Sequence, residues 1–146
     1  MSEKKKREID DRFKRFGTVS FTAVTKVNDF ISYLEEGKVM GTRCPDCGAV
    51  YFPPRADCFQ CFSSQTEWFE IEGTGKLITF SQLKYAPVGF EDDLPYSIAV
   101  VDYESYKVFG RISGTVSEEE IRLGMPLKTV ANTLSNGQLN YVFEKA

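Results

Sequence analysis

Four cysteines, Cys44, Cys47, Cys58 and Cys61, are the only ones in the chain, and they are spaced C-x2-C-x10-C-x2-C. Each C-x-x-C sets two thiolates on one tight turn, and two such turns facing each other supply a tetrahedral site of four sulfurs. Zinc is the usual occupant of such a site. The sequence contains no histidine. A bound zinc would therefore be held by cysteines alone, as a closed structural centre with no open position for water or substrate. Iron in an all-thiolate site satisfies the same spacing. Two disulfides would suit a secreted chain, but Met1-Ser2-Glu3-Lys4-Lys5-Lys6-Arg7 is charged and no apolar stretch follows it. A redox C-x-x-C usually occurs once, beside a βαβ pattern that is not seen in this sequence.

No apolar run approaches the roughly 20 residues that span a bilayer, so the chain is expected to be soluble and cytoplasmic, with no membrane partner. Aromatic residues make up 14% of it, enough for a modest core to bury a large area. Charge is uneven along the sequence. Residues 1–61 hold 11 Lys and Arg against 9 Asp and Glu, whereas residues 62–146 hold 7 against 12. The second part, at net −5, is a poor match for a phosphate backbone, because Lys and Arg contacts supply most non-specific nucleic-acid affinity.

Three segments are expected: an N-terminal tail and helix (1–37), a metal ribbon (38–69) and a barrel (70–146). Lys4-Lys5-Lys6-Arg7 reads as a solvated tail more readily than as a nucleic-acid arm. Ile9, Phe13 and Phe16, four and three apart, allow a short amphipathic helix. Residues 22–36 are predicted as a helix, with Val24, Val27, Phe30, Ile31 and Leu34 on one face, Thr22 as N-cap and Gly37 after the C-terminus. That apolar stripe either packs internally or docks on a partner. In the ribbon, Val39 to Arg43 leads in as a strand, Gly48 permits the first turn, and Val50-Tyr51-Phe52 is a short strand stopped by Pro53-Pro54. So small a module has too little core to hold itself together without metal.

Residues 70–146 read as five strands and one helix. Strands are predicted at Gly75–Tyr85, at Tyr96–Tyr103 with the buried run Ile98 to Val101, and at Lys107–Ser113. Ser117 and Glu120 form a capping-box pattern for a short helix ending at Gly124. Two more strands, Leu127–Leu134 and Gln138–Phe143, flank the hairpin signal Asn136-Gly137. The order β-β-β-α-β-β is that of the OB fold.

The combination resembles a known family. Thr42-Arg43-Cys44-Pro45-Asp46-Cys47-Gly48, then Tyr51-Phe52-Pro53-Pro54-Arg55, then Cys58-Phe59-Gln60-Cys61, with Gly73-Thr74-Gly75, Pro95-Tyr96 and Gly124 beyond, are similar to the DUF35-type zinc-ribbon/OB-fold proteins associated with acyl-CoA metabolism. The resemblance covers residues 22–146. It implies a mainly β fold with an N-terminal helix: a rubredoxin-like four-cysteine zinc ribbon followed by a five-stranded OB-fold barrel. It also implies a non-catalytic subunit that binds or passes on CoA or acyl-CoA beside a thiolase-type enzyme, with 3-hydroxy-3-methylglutaryl-CoA synthase as a further partner.

On that reading Lys38, Arg43, Arg55 and Lys84 are candidate cations for CoA phosphates. The segment from Tyr85 to Phe90 is a candidate wall for the pantetheine arm, although it also reads as an ordinary barrel loop. The absence of histidine, and the commitment of every cysteine to metal, agree with a non-catalytic role. The alternative is a zinc-ribbon/OB-fold nucleic-acid-binding module, with Tyr103, Tyr106 and Phe109 as stacking residues. Asp102 and Glu104 among those aromatics, and the acidic balance, weigh against it. An independent enzyme is the weakest reading, since no Gly-rich phosphate loop or Ser-His-Asp set is present and Glu91-Asp92-Asp93 and Glu118-Glu119-Glu120 read as solvated runs.

Overall fold

The computed structural model describes residues 9–20 and 25–146. Three short strands, β1 (Met40–Arg43), β2 (Val50–Tyr51) and β3 (Glu67–Glu70), form an antiparallel ribbon in the order β2-β1-β3. The third strand was not expected from sequence. Trp68 and Phe69, lying between Glu67 and Glu70, show no period of two, and pairing with β1 in the register Gly41↔Phe69 and Thr42↔Trp68 is what makes them a strand.

Five further strands, β4 (Gly75–Leu83), β5 (Tyr96–Asp102), β6 (Lys107–Ile112), β7 (Pro126–Thr133) and β8 (Leu139–Lys145), close into a barrel in the order β4-β5-β6-β8-β7. All neighbours are antiparallel except β6 and β8, which pair in parallel at Arg111↔Val142 and Ile112↔Phe143. A register shift between Leu77 and Thr79 bends β4. The strand therefore pairs with β5 along its length but with β7 only at Gly75 and Lys76. The interior is filled by Leu77, Ala99, Val101, Val108, Ile112, Leu127 and Phe143. In β5 only Ser97, Ala99 and Val101 are buried. Ile98 and Val100, expected within a continuous buried run, face outward and are half-covered, because an antiparallel strand shows alternate residues to its two faces.

The expected helix over 22–36 is shorter. Helix α1 spans Asp29–Glu35; Thr22 and Val24 lie outside the described residues. Asn28 precedes the helix, and its side-chain amide bonds the carbonyl of Thr25. This local bond competes with the helical ladder, and the β-branched Thr25 and Val27 give the ladder little support. The C-terminus matches expectation: Gly37 has φ +84°, its N–H donates to the Leu34 carbonyl (3.0 Å), and the Lys38 N–H donates to the Tyr33 carbonyl (2.8 Å), which is a Schellman motif.

Phe30, Ile31 and Leu34 are each at most 3% exposed, so the apolar stripe packs on its own chain. The N-terminal amphipathic segment is a 3-10 turn at Arg12–Arg15 rather than a longer helix. Phe13 and Phe16 pack inward while Ile9 stays 69% exposed. Phe30 is the hub of these contacts. Its ring centroid lies 6.0 Å from Phe13, 5.6 Å from Phe16, 6.3 Å from Phe52 of the ribbon and 6.4 Å from Tyr141 of β8. One apolar core thus runs from tail and helix through the ribbon into the barrel.

The predicted barrel helix is a single 3-10 turn, Glu118–Glu120. The Ser117 hydroxyl bonds the Glu120 carboxylate (3.1 Å), but no helix develops. Ile121 must turn inward to bury, and the Gly124 N–H bonds the Leu77 carbonyl (2.7 Å). The chain is thereby committed to the barrel before a second turn can form. The Asn136-Gly137 hairpin is present: the Leu134 N–H meets the Gln138 carbonyl at 2.7 Å and the Gly137 N–H meets the Leu134 carbonyl at 2.9 Å.

Asp93 and Arg111 form a mostly buried ion pair (2.9 Å), each side chain about one-fifth exposed (20% and 21%). Burial pushes the Asp93 carboxyl up. The Thr18 hydroxyl and the Arg111 guanidinium outweigh it and hold the carboxyl below the usual carboxylate range. A depressed carboxyl contributes stability that is present above its unfolded pKa of about 4 and lost as pH falls through the lowered value. Asp93→Asn is therefore expected to cost about 1–2 kcal/mol at neutral pH. Its melting temperature should converge on that of the wild type as pH falls below the lowered value, as followed by circular dichroism.

Candidate metal centre

The four cysteines converge. Their Sγ atoms all lie within 4.8 Å of one another, and two pairs that cross between the turns, Cys44 to Cys61 and Cys47 to Cys58, are each 3.5 Å apart. A regular tetrahedron with Zn–S bonds of about 2.3 Å has edges of about 3.8 Å, so the cluster fits a metal ion with little adjustment. The turns share one construction. The Cys44 N–H donates to the Ala49 carbonyl (2.8 Å) and the Cys58 N–H to the Ser63 carbonyl (2.9 Å). Cys44 and Cys58 are buried and Cys47 and Cys61 exposed, which places the centre at the tip of the ribbon with one side toward solvent.

Tyr51 is the supporting residue that sequence reasoning did not single out for the site. It is 8% exposed, and its hydroxyl stands 3.1 Å from the Cys58 sulfur and accepts the Phe59 N–H at 3.3 Å. The Tyr51 hydroxyl, helped by the Cys61 N–H, holds the Cys58 thiol down to about 6, in the direction that favours the thiolate a metal needs. The aromatic-Pro-Pro-Arg segment was the only signal for Tyr51. Thr42, wholly buried, braces the same segment: its hydroxyl bonds the Arg55 carbonyl (3.0 Å) and accepts the Arg55 N–H (2.8 Å).

The six candidate CoA residues are dispersed. Lys38 follows α1, with its ammonium 3.9 Å from Glu36. Arg43 lies over the Phe69 ring at 5.6 Å, and Arg55 over Tyr51 and Phe59 at 5.5 and 5.1 Å. Lys84 and Tyr85 are exposed, Tyr85 at 90%, and Phe90 lies 5.9 Å from the Arg111 guanidinium. Among the described residues, no hydrogen bond or ion pair joins any two of the six.

Two neighbouring clefts on the barrel were not foreseen. One, of about 450 Å³, is largely apolar, lined by Phe16, Leu83, Pro87, Ile98, Phe109 and Tyr141. The other, of about 500 Å³, is mixed, with Asp93, Ser113 and Asn132 beside Val116, Leu134 and Val142. Tyr96, Arg111 and Asn140 border both, and Arg111 stacks on Tyr96 at 4.1 Å. Only the strand register brings these residues together. Of the aromatics considered for base stacking, Tyr103 and Tyr106 stack on each other at 5.3 Å, and the Tyr103 hydroxyl pairs with Thr129 at 2.8 Å; of the three, Phe109 is the exposed one.

A four-thiol ribbon joined to a five-stranded OB barrel defines a class of small two-module proteins. Two family models match in succession: the ChsH2 rubredoxin-like zinc ribbon domain over residues 32–67 and the ChsH2 C-terminal OB-fold domain over residues 68–132. The chain belongs to this DUF35 zinc-ribbon/OB-fold family.

It is 38% identical to a DUF35 domain-containing scaffold protein of Methanocaldococcus jannaschii, over 63% of this chain and 66% of that one. A protein of the same description from Pyrococcus furiosus is 33% identical over 70% and 74%. Benzoylsuccinyl-CoA thiolase subunit BbsA of Geobacter metallireducens is 30% identical over 72% and 73%. Among solved structures, a chain of the Ltp2-ChsH2(DUF35) aldolase superposes with a TM-score of 0.67 at 24% identity, covering 84% of this chain and 96% of that one; that likeness is one of fold. Among the described residues, no helix is long and apolar enough to cross a membrane.

Proposed function

We propose that this protein is a non-catalytic scaffold subunit that attaches to a thiolase-type enzyme and holds its acyl-CoA, with 3-hydroxy-3-methylglutaryl-CoA synthase as a second client. The similarity to a benzoylsuccinyl-CoA thiolase subunit over 73% of that protein's length carries the partner, and the residue inventory carries the passive role. With no histidine and all four cysteines gathered in one cluster, neither a histidine base nor an uncommitted thiol is left for thioester chemistry. Cys44, Cys47, Cys58 and Cys61 would hold a zinc ion, whose role is to cross-link the two turns.

The apolar cleft supports the acyl-CoA part of the reading. Leu83 on its wall leads directly into Lys84 and Tyr85, and Phe90 faces Arg111 on its rim. A pantetheine arm has an apolar body and amides, which suits a wall of Leu83, Ile98 and Phe109 beside Asn140. Lys84, next to Leu83 on that wall, would serve the phosphates.

The test is purification of the tagged chain from its native source, followed by reconstitution with the thiolase-type enzyme that accompanies it. The chain alone is expected to turn over no thioester, to form a stable complex with that enzyme, and to bind acyl-CoA with loss of affinity in Phe109→Asp. Thioester turnover by the isolated chain, or no association at micromolar concentration with the metal in place, would overturn the reading.

A further inference from the structure

The two metal turns share a backbone plan, and one of the places where they differ points to a docking surface. The N–H of Ala49 faces the Cys47 sulfur, and that of Ser63 faces the Cys61 sulfur. To aim those groups, the chain passes through the left-handed region at the residue between, Gly48 with φ +77° in the first turn and Phe62 with φ +60° in the second. Glycine takes this conformation without steric penalty. A bulky side chain is strained there and is held only by the surrounding structure. The strain is not offset by packing, because Phe62 is 83% exposed and Phe59, on the same turn, 57% exposed. Beside them the Arg55 guanidinium stacks 5.1 Å from the Phe59 ring. Among the described residues Arg55 takes part in no ion pair.

We propose that Phe62, Phe59 and Arg55 are the anchor by which the ribbon tip seats on the thiolase-type partner, the two rings entering an apolar depression and the guanidinium meeting a carboxylate on its rim. This rests on the partner reading above. Exposed aromatics beside an arginine are the composition of interface hot spots. The Arg55 plane is already stacked, so little side-chain freedom is lost when a carboxylate engages it. The similarity to a thiolase subunit argues for a thiolase-type occupant, and an Arg55 that forms no ion pair among the described residues argues for a carboxylate on that partner's rim.

The test uses the full, metal-loaded chain with Phe62→Gly and Phe62→Asn, both of which tolerate the left-handed turn, and with Arg55→Gln. The probe is the thiolase-type enzyme that co-purifies with the wild type. Both Phe62 variants are expected to keep the metal and to melt at or a few degrees above the wild-type temperature. Their affinity for the enzyme should fall by about thirtyfold or more, as expected for a hot spot. Arg55→Gln should lose about tenfold, with a shallower salt dependence.

Unchanged affinity in both Phe62 variants overturns the anchor while leaving the scaffold reading intact. Metal loss with a lower melting temperature in both overturns it too, by making Phe62 a folding residue. A wild-type chain that binds no thiolase-type enzyme overturns both readings. Self-association of the wild type that disappears in Phe62→Gly would assign the tip to a second copy and overturn the proposal.

Discussion

Cys47→Ser is expected to abolish stoichiometric metal binding and to unfold the ribbon while the barrel keeps its strands. Protein purified without chelator should carry about one zinc per chain, and the serine variant should carry almost none. The effect is large because the ribbon tip around the cysteines has little else to hold it. Its three strands contain ten residues in all, and its private apolar cluster is Cys44, Tyr51 and Cys58 with Ala49 beside them. Structural zinc contributes apparent free energies of about 10–16 kcal/mol in small fingers, far more than such a cluster can supply. Elemental analysis reads the metal. Hydrogen exchange should show residues 44–63 losing protection while β5 and β8 retain theirs. Stoichiometric metal in a Cys44/Cys47 double serine variant would falsify the assignment.

Phe30→Ala is expected to destabilise the protein by about 3–5 kcal/mol, the usual cost of emptying a large aromatic site. The loss should be felt in three places, because the ring contacts the tail (Phe13, Phe16), the ribbon (Phe52) and the barrel (Tyr141). Phe30→Glu adds a buried carboxylate without a partner. Against a total stability of about 5–15 kcal/mol, that variant is expected to be largely unfolded at 37 °C. Circular dichroism melting measures both. A variant that melts like the wild type but fails to co-elute with a partner would return the helix to the docking surface and contradict its burial.

The thiol-rich tip and the helix thus separate two roles that look alike in sequence. Val27, Phe30, Ile31 and Leu34 form a regular stripe, and a stripe carries no information on what covers it. Burial resolves this: the N-terminal turn and β8 close over the helix, joined by the Gly17 N–H to the Leu139 carbonyl at 2.7 Å and the Gln138 side chain to the Lys14 carbonyl at 2.7 Å. Phe59 and Phe62 carry no signal of their own within or beside a cysteine spacing, yet they stand exposed next to the metal site.

Some features were legible because they are local. Metal-ligand spacing is set by a turn of four residues, so four cysteines and no histidine mark a candidate all-thiolate centre wherever the ribbon sits. The OB order followed from periodicity and turn residues, each acting within a few positions of the chain. The third ribbon strand, the shortness of both helices and the two clefts had no such local cause. Glu67–Glu70 became a strand because β1 was there to pair with it, and α1 began at Asp29 because a side-chain bond outcompeted the ladder before it. Arg111 and Tyr96 meet through the β5–β6 pairing, and Asn140 and Tyr141 join them because β6 pairs with β8. The candidate metal ligands were legible in the sequence; which apolar faces are spent inside the molecule, and which stay exposed, was decided by long-range burial that only the folded chain defines.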